Sequence, residues 1–323
     1  MLTAMKAVDL GAEMDWTQEN PIEQLGWLFG KGTPWRAEPK IDGVRCSLEI
    51  NREGGMLLTS RNGLDRSRNF PHLIDGDLLP ELSVTILDCE LTARWHDGRP
   101  MLPSTTALVV SDPANSAVLQ EMQGLAVLNV FDVLAVTGEP AVSLEYAVRR
   151  ELLASLRPML EATGYMRVVP SWVATRQRCE RIMAQGYEGI VFKRASSPYL
   201  LTRNRNWLKF KRRAMLDGIV TGYTPGKGQH EGKVGSLEIS VYDDRSGTLV
   251  KVGSVGNLTD LQRSRASTPA GRLRQSMRGR VVTVIAQGVG NHGHLRSPQL
   301  VEFRADKPAS ECTLDQLDAF PRV

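Results

Sequence analysis

Residues 40–45 read Lys-Ile-Asp-Gly-Val-Arg, and a β-like run from Val44 to Ile50 follows directly. A lysine, an acid and an arginine are thus crowded around one glycine at the start of a strand. Gly43 permits a turn or a close approach that a side chain would obstruct, and Asp42 and Arg45 flank that turn. Glu38 precedes Lys40 by two residues, so on an extended segment both side chains share one face. A fold that accommodates this sequence must gather four charged groups at one strand end.

From Glu38 to about Leu134 the chain reads as short β-like runs: Val44 to Ile50, Met56 to Ser60, Val84 to Thr92 and Leu125 to Leu134. Gly54-Gly55 and Asn62-Gly63 are turn signals, and β-branched or large apolar residues fill the runs. Leu144, Val148, Leu152 and Leu156 recur every fourth residue, which predicts an amphipathic helix ended by Gly164. A second helix is expected over Thr175 to Gln185, with Thr175 as N-cap and Gly186 just beyond its end. Strands resume at Gly189 to Lys193 and Leu208 to Lys211.

After Arg213 the texture changes to Gly-rich β segments: Asp217 to Tyr223, Ser236 to Tyr242, Thr248 to Val252, Val281 to Ala286 and Gln299 to Arg304. Five strands with an interposed polar segment fit a small barrel. A length of 323 residues favours two cores. The expected organisation is α+β, with one domain over residues 1–215 and a second over 216–323.

Hydrophobic residues make up 41% of the chain, enough for folded cores. The formal net charge is only +4, but its placement is uneven. Arg194 to Arg213 holds seven Lys or Arg and no acid, and Leu261 to Arg280 holds six Arg and no acid. Both runs suit phosphate backbones. Cys46, Cys89, Cys179 and Cys312 form no C-x-x-C pair, which argues against a zinc ribbon or a disulfide scaffold. The unpaired cysteines make a reducing cytoplasm the expected setting, and because no segment has the length of a membrane span and the start of the chain lacks an apolar leader core, neither export nor membrane embedding is expected.

Glu90 and Glu188 emerge from apolar strands, where an unpaired carboxylate is costly. A hard cation shared with phosphate oxygens, or ribose hydroxyls, would satisfy them. Lys209 and Lys211 alternate along one strand and therefore point to one side. Gly222, Gly226 and Gly228 lack the spacing of a phosphate-binding loop and read as a flexible barrel loop. His292 and His294 have no companion ligands and read as a turn.

The motifs follow one order: Lys40 to Arg45, Ser60-Arg61-Asn62-Gly63, Leu87-Asp88-Cys89-Glu90, Phe131-Asp132-Val133-Leu134, Glu188 to Lys193, Trp207 to Lys211, and Arg304-Ala305-Asp306-Lys307. This set resembles the collinear motifs of the covalent nucleotidyltransferases, most closely those of ATP-dependent DNA ligases of the small phage or bacterial type. The resemblance runs from about Glu38 to Lys307. It implies an adenylyltransferase (ATP-grasp-like ligase) domain of antiparallel sheets and helices, followed by an OB-fold β-barrel hinged near Arg213 to Asp217.

The same resemblance implies ATP and Mg2+ as cofactors and nicked duplex DNA as partner, with a monomer sufficing. Lys40 would attack the α-phosphorus of ATP and carry AMP. An ordinary lysine has a pKa of roughly 10.4, so burial and nearby positive charge are expected to lower that of Lys40. Lys209 and Lys211 supply such charge and would hold phosphates. Arg45 would contact the sugar and later the nick, and Asp42 would support the later steps. Glu38 would read the adenine amino group and Phe131 would stack on the purine. Glu90 is assigned to the ribose and to metal, Glu188 to metal, Lys193 to the nucleotide site, and Arg61 to the nick phosphate. Arg304, Asp306 and Lys307 would orient pyrophosphate. Cys89 departs from the usual Asp-Gly-Glu form. RNA ligase, guanylyl-transferring capping enzyme and an inactive nucleic-acid-binding scaffold are the alternatives.

Overall fold

The computed structural model describes residues 4–16, 20–30, 32–75, 79, 82–93, 102–290 and 292–320. Two compact units divide the chain, Met1–Lys211 and Arg212–Val323. In chain order the first carries β1 (Lys6–Asp9), β2 (Trp35–Lys40), β3 (Val44–Ile50), β4 (Met56–Ser60), β5 (Thr85–Thr92), α1 (Leu102–Val110), α2 (Pro113–Gln123), β6 (Val127–Val136), β7 (Glu139–Pro140), α3 (Tyr146–Ala162), β8 (Met166–Val168), β9 (Trp172–Val173), α4 (Arg176–Ala184), β10 (Gly189–Arg194) and β11 (Arg203–Lys211).

These strands form two sheets, one in the order β1-β11-β10-β2-β9 and one in the order β4-β3-β5-β6-β7 with β8 beside β6. The sheets are mixed rather than purely antiparallel: β1 runs parallel to β11 and β8 parallel to β6. A parallel neighbour needs a long crossover, and α3 supplies one between β6 and β8. In the first sheet Ala37, Ile190, Phe192, Leu208 and Phe210 pack into one core with Cys179 and Ile182 of α4. Side chains at the alternate positions therefore emerge on the opposite face. That face carries Glu38, Lys40, Lys193, Lys209 and Lys211.

In the second sheet Cys46, Leu48 and Ile50 of β3 enter a core with Leu87, Cys89 and Leu91 of β5. Arg45, Asp88 and Glu90 consequently lie on the other side. A bulge in β6 sets Asp132 opposite Asp88 and Val130 opposite Cys89, so Phe131 is the extra residue. α3 buries Tyr146, Arg149, Leu153, Leu156 and Leu160. Its core face is thus rotated from the expected one, and Leu144 and Val148 are exposed. The reason is an ion pair: the Arg149 guanidinium donates to both Asp132 carboxylate oxygens, at 2.8 and 3.0 Å, in full burial.

The second unit consists of β12 (Ala214–Pro225), β13 (Val234–Tyr242), β14 (Leu249–Val255), α5 (Asp260–Ala266), β15 (Val281–Ala286), β16 (Gly288–Val289), β17 (Leu295–Arg296) and β18 (Gln299–Arg304). Its main sheet runs β14-β13-β12-β15-β18, antiparallel throughout, with bulges in several pairings. Bulges bend strands, and the bent sheet surrounds a single apolar core. Arg263 corrects one expectation for the basic run after Leu261. Its guanidinium is buried and donates to backbone carbonyls of Val234, Gly235, Gly256 and Leu258, whereas Arg265, Arg272, Arg274 and Arg278 are exposed.

All four cysteines are buried free thiols. No helix among the described residues is long and apolar enough to cross a membrane. Removing one member of a buried ion pair strands the other charge. Asp132→Ala is expected to lower the unfolding free energy of the first unit by about 3–5 kcal/mol, read from the urea midpoint of its far-UV circular dichroism.

Candidate active site

Lys40 ends β2 opposite Gly189 of β10, which in turn faces Lys211 of β11. A Cβ at Gly189 would overlap the Phe210 carbonyl, so only glycine permits this close strand approach. Both lysines reach the Glu188 carboxylate: Lys40 through a short ion pair, Lys211 at 3.0 Å. One residue pair farther along, Val191 lies between Glu38 and Lys209, and Lys193 then faces Trp207. The face is thus a ladder of charged groups with its nucleophile candidate at one end.

A cavity of about 600 Å³ adjoins this ladder. Its walls include Glu38, Lys40, Lys193, Lys209 and Lys211 from one sheet, with Arg45, Glu90 and Phe131 from the other and Arg61 from the turn after β4. Glu188 is ion-paired to two lining lysines, Lys40 and Lys211, and the charge of Asp42 acts on Lys40 as well. A Cβ on Gly43 would overlap the Leu91 carbonyl oxygen, which explains the glycine in the turn between β2 and β3. Arg304, Asp306 and Lys307 belong to the second unit. There Arg304 donates to both Asp306 oxygens at 2.8 and 2.6 Å, while Asp217 holds Lys307 at 2.8 Å and Arg304 at 3.6 Å.

The electrostatics correct the expectation for Lys40. Burial opposes its charge, but Glu188, Glu90 and Asp42 outweigh burial and hold its amine above an ordinary lysine. Burial likewise opposes charge on Glu188, yet Lys40 and Lys211 keep it well below the usual carboxylate range. Lys209 is the lysine that is lowered, by burial together with Lys211 and Lys40 against the pull of Asp9. Glu90 is half-buried, without a direct side-chain hydrogen bond or ion pair among the described residues. Burial pushes it up to about 7, although Lys40 and Arg45 draw it down.

Several participants lay outside the sequence expectations. Asp88 accepts from Arg45 at 3.0 and 2.6 Å, and the Tyr199 hydroxyl donates to Asp88 at 2.7 Å. Arg45 also donates to the Met5 carbonyl and sits over the Phe131 and Trp207 rings, at 5.3 and 5.6 Å. An acid two residues before Glu90 in an apolar strand was the available sign for Asp88. Lys6, Arg66 and Arg203 line the cavity as well, and with Arg61 they form no ion pair among the described residues. Nothing local in the sequence sets those three apart from other surface cations.

The model of the family "ATP dependent DNA ligase domain" matches residues 21–211. The chain belongs to this ligase family. A probable DNA ligase of Dictyoglomus thermophilum is 29% identical over 232 residues, covering 68% of this chain and 39% of the relative. One from Mycobacterium marinum is 27% identical over 301 residues, covering 87% and 58%. The chain therefore spans roughly two fifths to three fifths of the length of these ligases. A solved structure of a Lig E DNA ligase superposes with a TM-score of 0.63 at 17% identity, covering 93% of this chain and 98% of that one. A mycobacterial DNA ligase D complexed with ATP and MES gives 0.53 at 21%, covering 96% and 97%. The shared fold is a nucleotidyltransferase unit followed by an OB-fold.

If Glu188 holds the proton on Lys40, loss of its charge lowers the amine toward neutrality. In metal-free protein, Glu188→Gln should shift the pH profile of Lys40 acylation to lower pH and raise its rate at pH 8 by about tenfold or more. Mass spectrometry of the acylated peptide measures this. An unchanged profile would show that Glu188 does not set the charge on Lys40.

Proposed function

We propose that this chain is the catalytic core of an ATP-dependent DNA ligase that seals 3′-hydroxyl/5′-phosphate nicks in duplex DNA through a lysyl-AMP intermediate. The observation that carries the reading is Lys40, a cavity-lining amine bound to a carboxylate that a second lysine shares. Lys40 Nζ attacks the ATP α-phosphorus after losing its proton, forming the P–N bond as the bond to pyrophosphate breaks. Lys209 and Lys211 balance charge on the phosphate oxygens. AMP then passes to the nick 5′-phosphate, regenerating the amine, and the 3′-hydroxyl displaces AMP from that phosphate.

Glu38 and Phe131 would hold adenine, while Arg45 and Glu90 would face its sugar. Arg61 would bind the nick phosphate, and Asp42 would support transfer after Lys40 is loaded. Arg304, Asp306 and Lys307 would orient pyrophosphate from the second unit. Mg2+ fits the donor chemistry: Glu90 is a half-buried carboxylate without a direct side-chain partner among the described residues, and its neighbour Glu188 offers hard oxygen atoms that pair there with lysines. Bound by those two residues, the ion would supply positive charge to phosphate oxygens. Glu188 drawn toward a cation would also release its hold on the Lys40 proton.

The test is magnesium-dependent transfer of label from α-labelled ATP to protein, followed by a chase with nicked DNA or nicked RNA duplexes. Wild type should take the label and release it on sealing DNA, and Lys40→Ala should take none. Absence of label on wild type would remove the covalent mechanism and favour a binding scaffold. Release on RNA alone would make the chain an RNA ligase.

A further inference from the structure

Lys193 lines the cavity, yet its side chain is 1% exposed. Its ammonium is fully engaged by protein. It lies 2.8 Å from Glu38 Oε2 and donates to the Phe131 carbonyl at 2.8 Å. Aromatic faces of Trp207, Phe131 and Tyr146 surround it, with centroids at 4.3, 4.8 and 5.0 Å. The other oxygen of Glu38 accepts from the Tyr146 hydroxyl, which also meets Ser171 Oγ at 3.0 Å.

We infer that Lys193 is a positioning residue that sets which purine the site accepts. The inference rests on the ligase reading and on Glu38 facing the base. An ionised carboxylate only accepts hydrogen bonds. It therefore suits the 6-amino group of adenine and repels the 6-oxo group of guanine or hypoxanthine. Glu38 itself is 2% exposed, and a carboxylate so buried keeps a fixed orientation only while its charge and lone pairs are matched. Lys193 matches that charge on one oxygen and at the same time ties down the backbone of Phe131, the ring expected to stack on the base. One ammonium thus fixes both the acceptor and the stacking platform. Phe131 is the extra residue of a bulge, so its backbone lacks a directly opposed ladder partner on β5, and the Lys193 contact restrains it from the other sheet.

The experiment compares self-adenylylation with the corresponding guanylyl and inosinyl transfer, using α-labelled ATP, GTP and ITP on the full chain. Lys193→Met keeps length and apolar packing but removes the charge. Its kcat/KM for ATP should fall at least about tenfold, mainly through KM, and the preference for ATP over GTP and ITP should narrow by a similar factor. Tyr146→Phe removes the other donor to Glu38 without removing charge, and should narrow the preference by about threefold. It keeps the question decidable should Lys193→Met fail to fold. A uniform loss with all three nucleotides, the preference intact in both variants, would reduce Lys193 to a structural tie and overturn the inference. No label on wild type from any nucleotide would instead overturn the ligase reading beneath it.

Discussion

Glu188 is ion-paired to two lysine ammoniums at once, and the arrangement of the cavity-facing sheet depends on that shared contact. Lys40 and Lys211 are brought toward each other across Gly189, where repulsion between like charges in a poorly solvated place would otherwise part them. Together with Glu90 and Asp42, the shared carboxylate holds the Lys40 amine above an ordinary lysine, which favours its charged, non-nucleophilic form. In the proposed mechanism phosphate oxygens would take the place of the carboxylate at the lysines, and a cation that of the lysines at the carboxylate. Substrate binding in the proposed mechanism thus replaces an internal ion pair rather than adding charge to a bare site.

Two further ties shape the cavity of the first unit. Arg45 is locked in a fork to Asp88 and to the Met5 carbonyl, with the Tyr199 hydroxyl at 3.0 Å, so the segment entering β1 is attached to the second sheet. Lys193 reaches from β10 to the Phe131 backbone on β6. Both ties join the two sheets, which is why their charged residues converge on one cavity. In the second unit Asp217 has a comparable part, collecting Lys307, Arg304 and the Thr283 hydroxyl, the last at 2.6 Å.

Much of the local structure was legible. The runs Val44–Ile50, Met56–Ser60, Val281–Ala286 and Gln299–Arg304 coincide with strands because apolar periodicity and bounding turns are local properties. Thr175 caps α4 through its side chain, as its position suggested. By contrast α2 was overlooked despite Asp112 and Pro113, a cap and a first-turn proline. The four-residue β1 offers too short a pattern to read, since its partner β11 lies almost two hundred residues away. α3 was located but its buried face was misplaced, because counting leucines ignores an arginine whose carboxylate partner sits on β6, outside the helix.

The sequence alone determined which chemical groups the chain possesses and their order: a lysine beside a glycine turn, acids in apolar strands, alternating lysines and a β-rich end. Those features are covalent neighbours and need no folding to be read. Only the tertiary structure decided their charge states and partners. It gave Glu188 two lysines, raised Lys40 rather than lowering it, turned Lys193 into an interior counter-ion of Glu38, and buried Arg263 among carbonyls. Desolvation and Coulomb energy depend on distances through space, and residues as far apart as Lys40 and Glu188 acquire such a distance only when the sheets form.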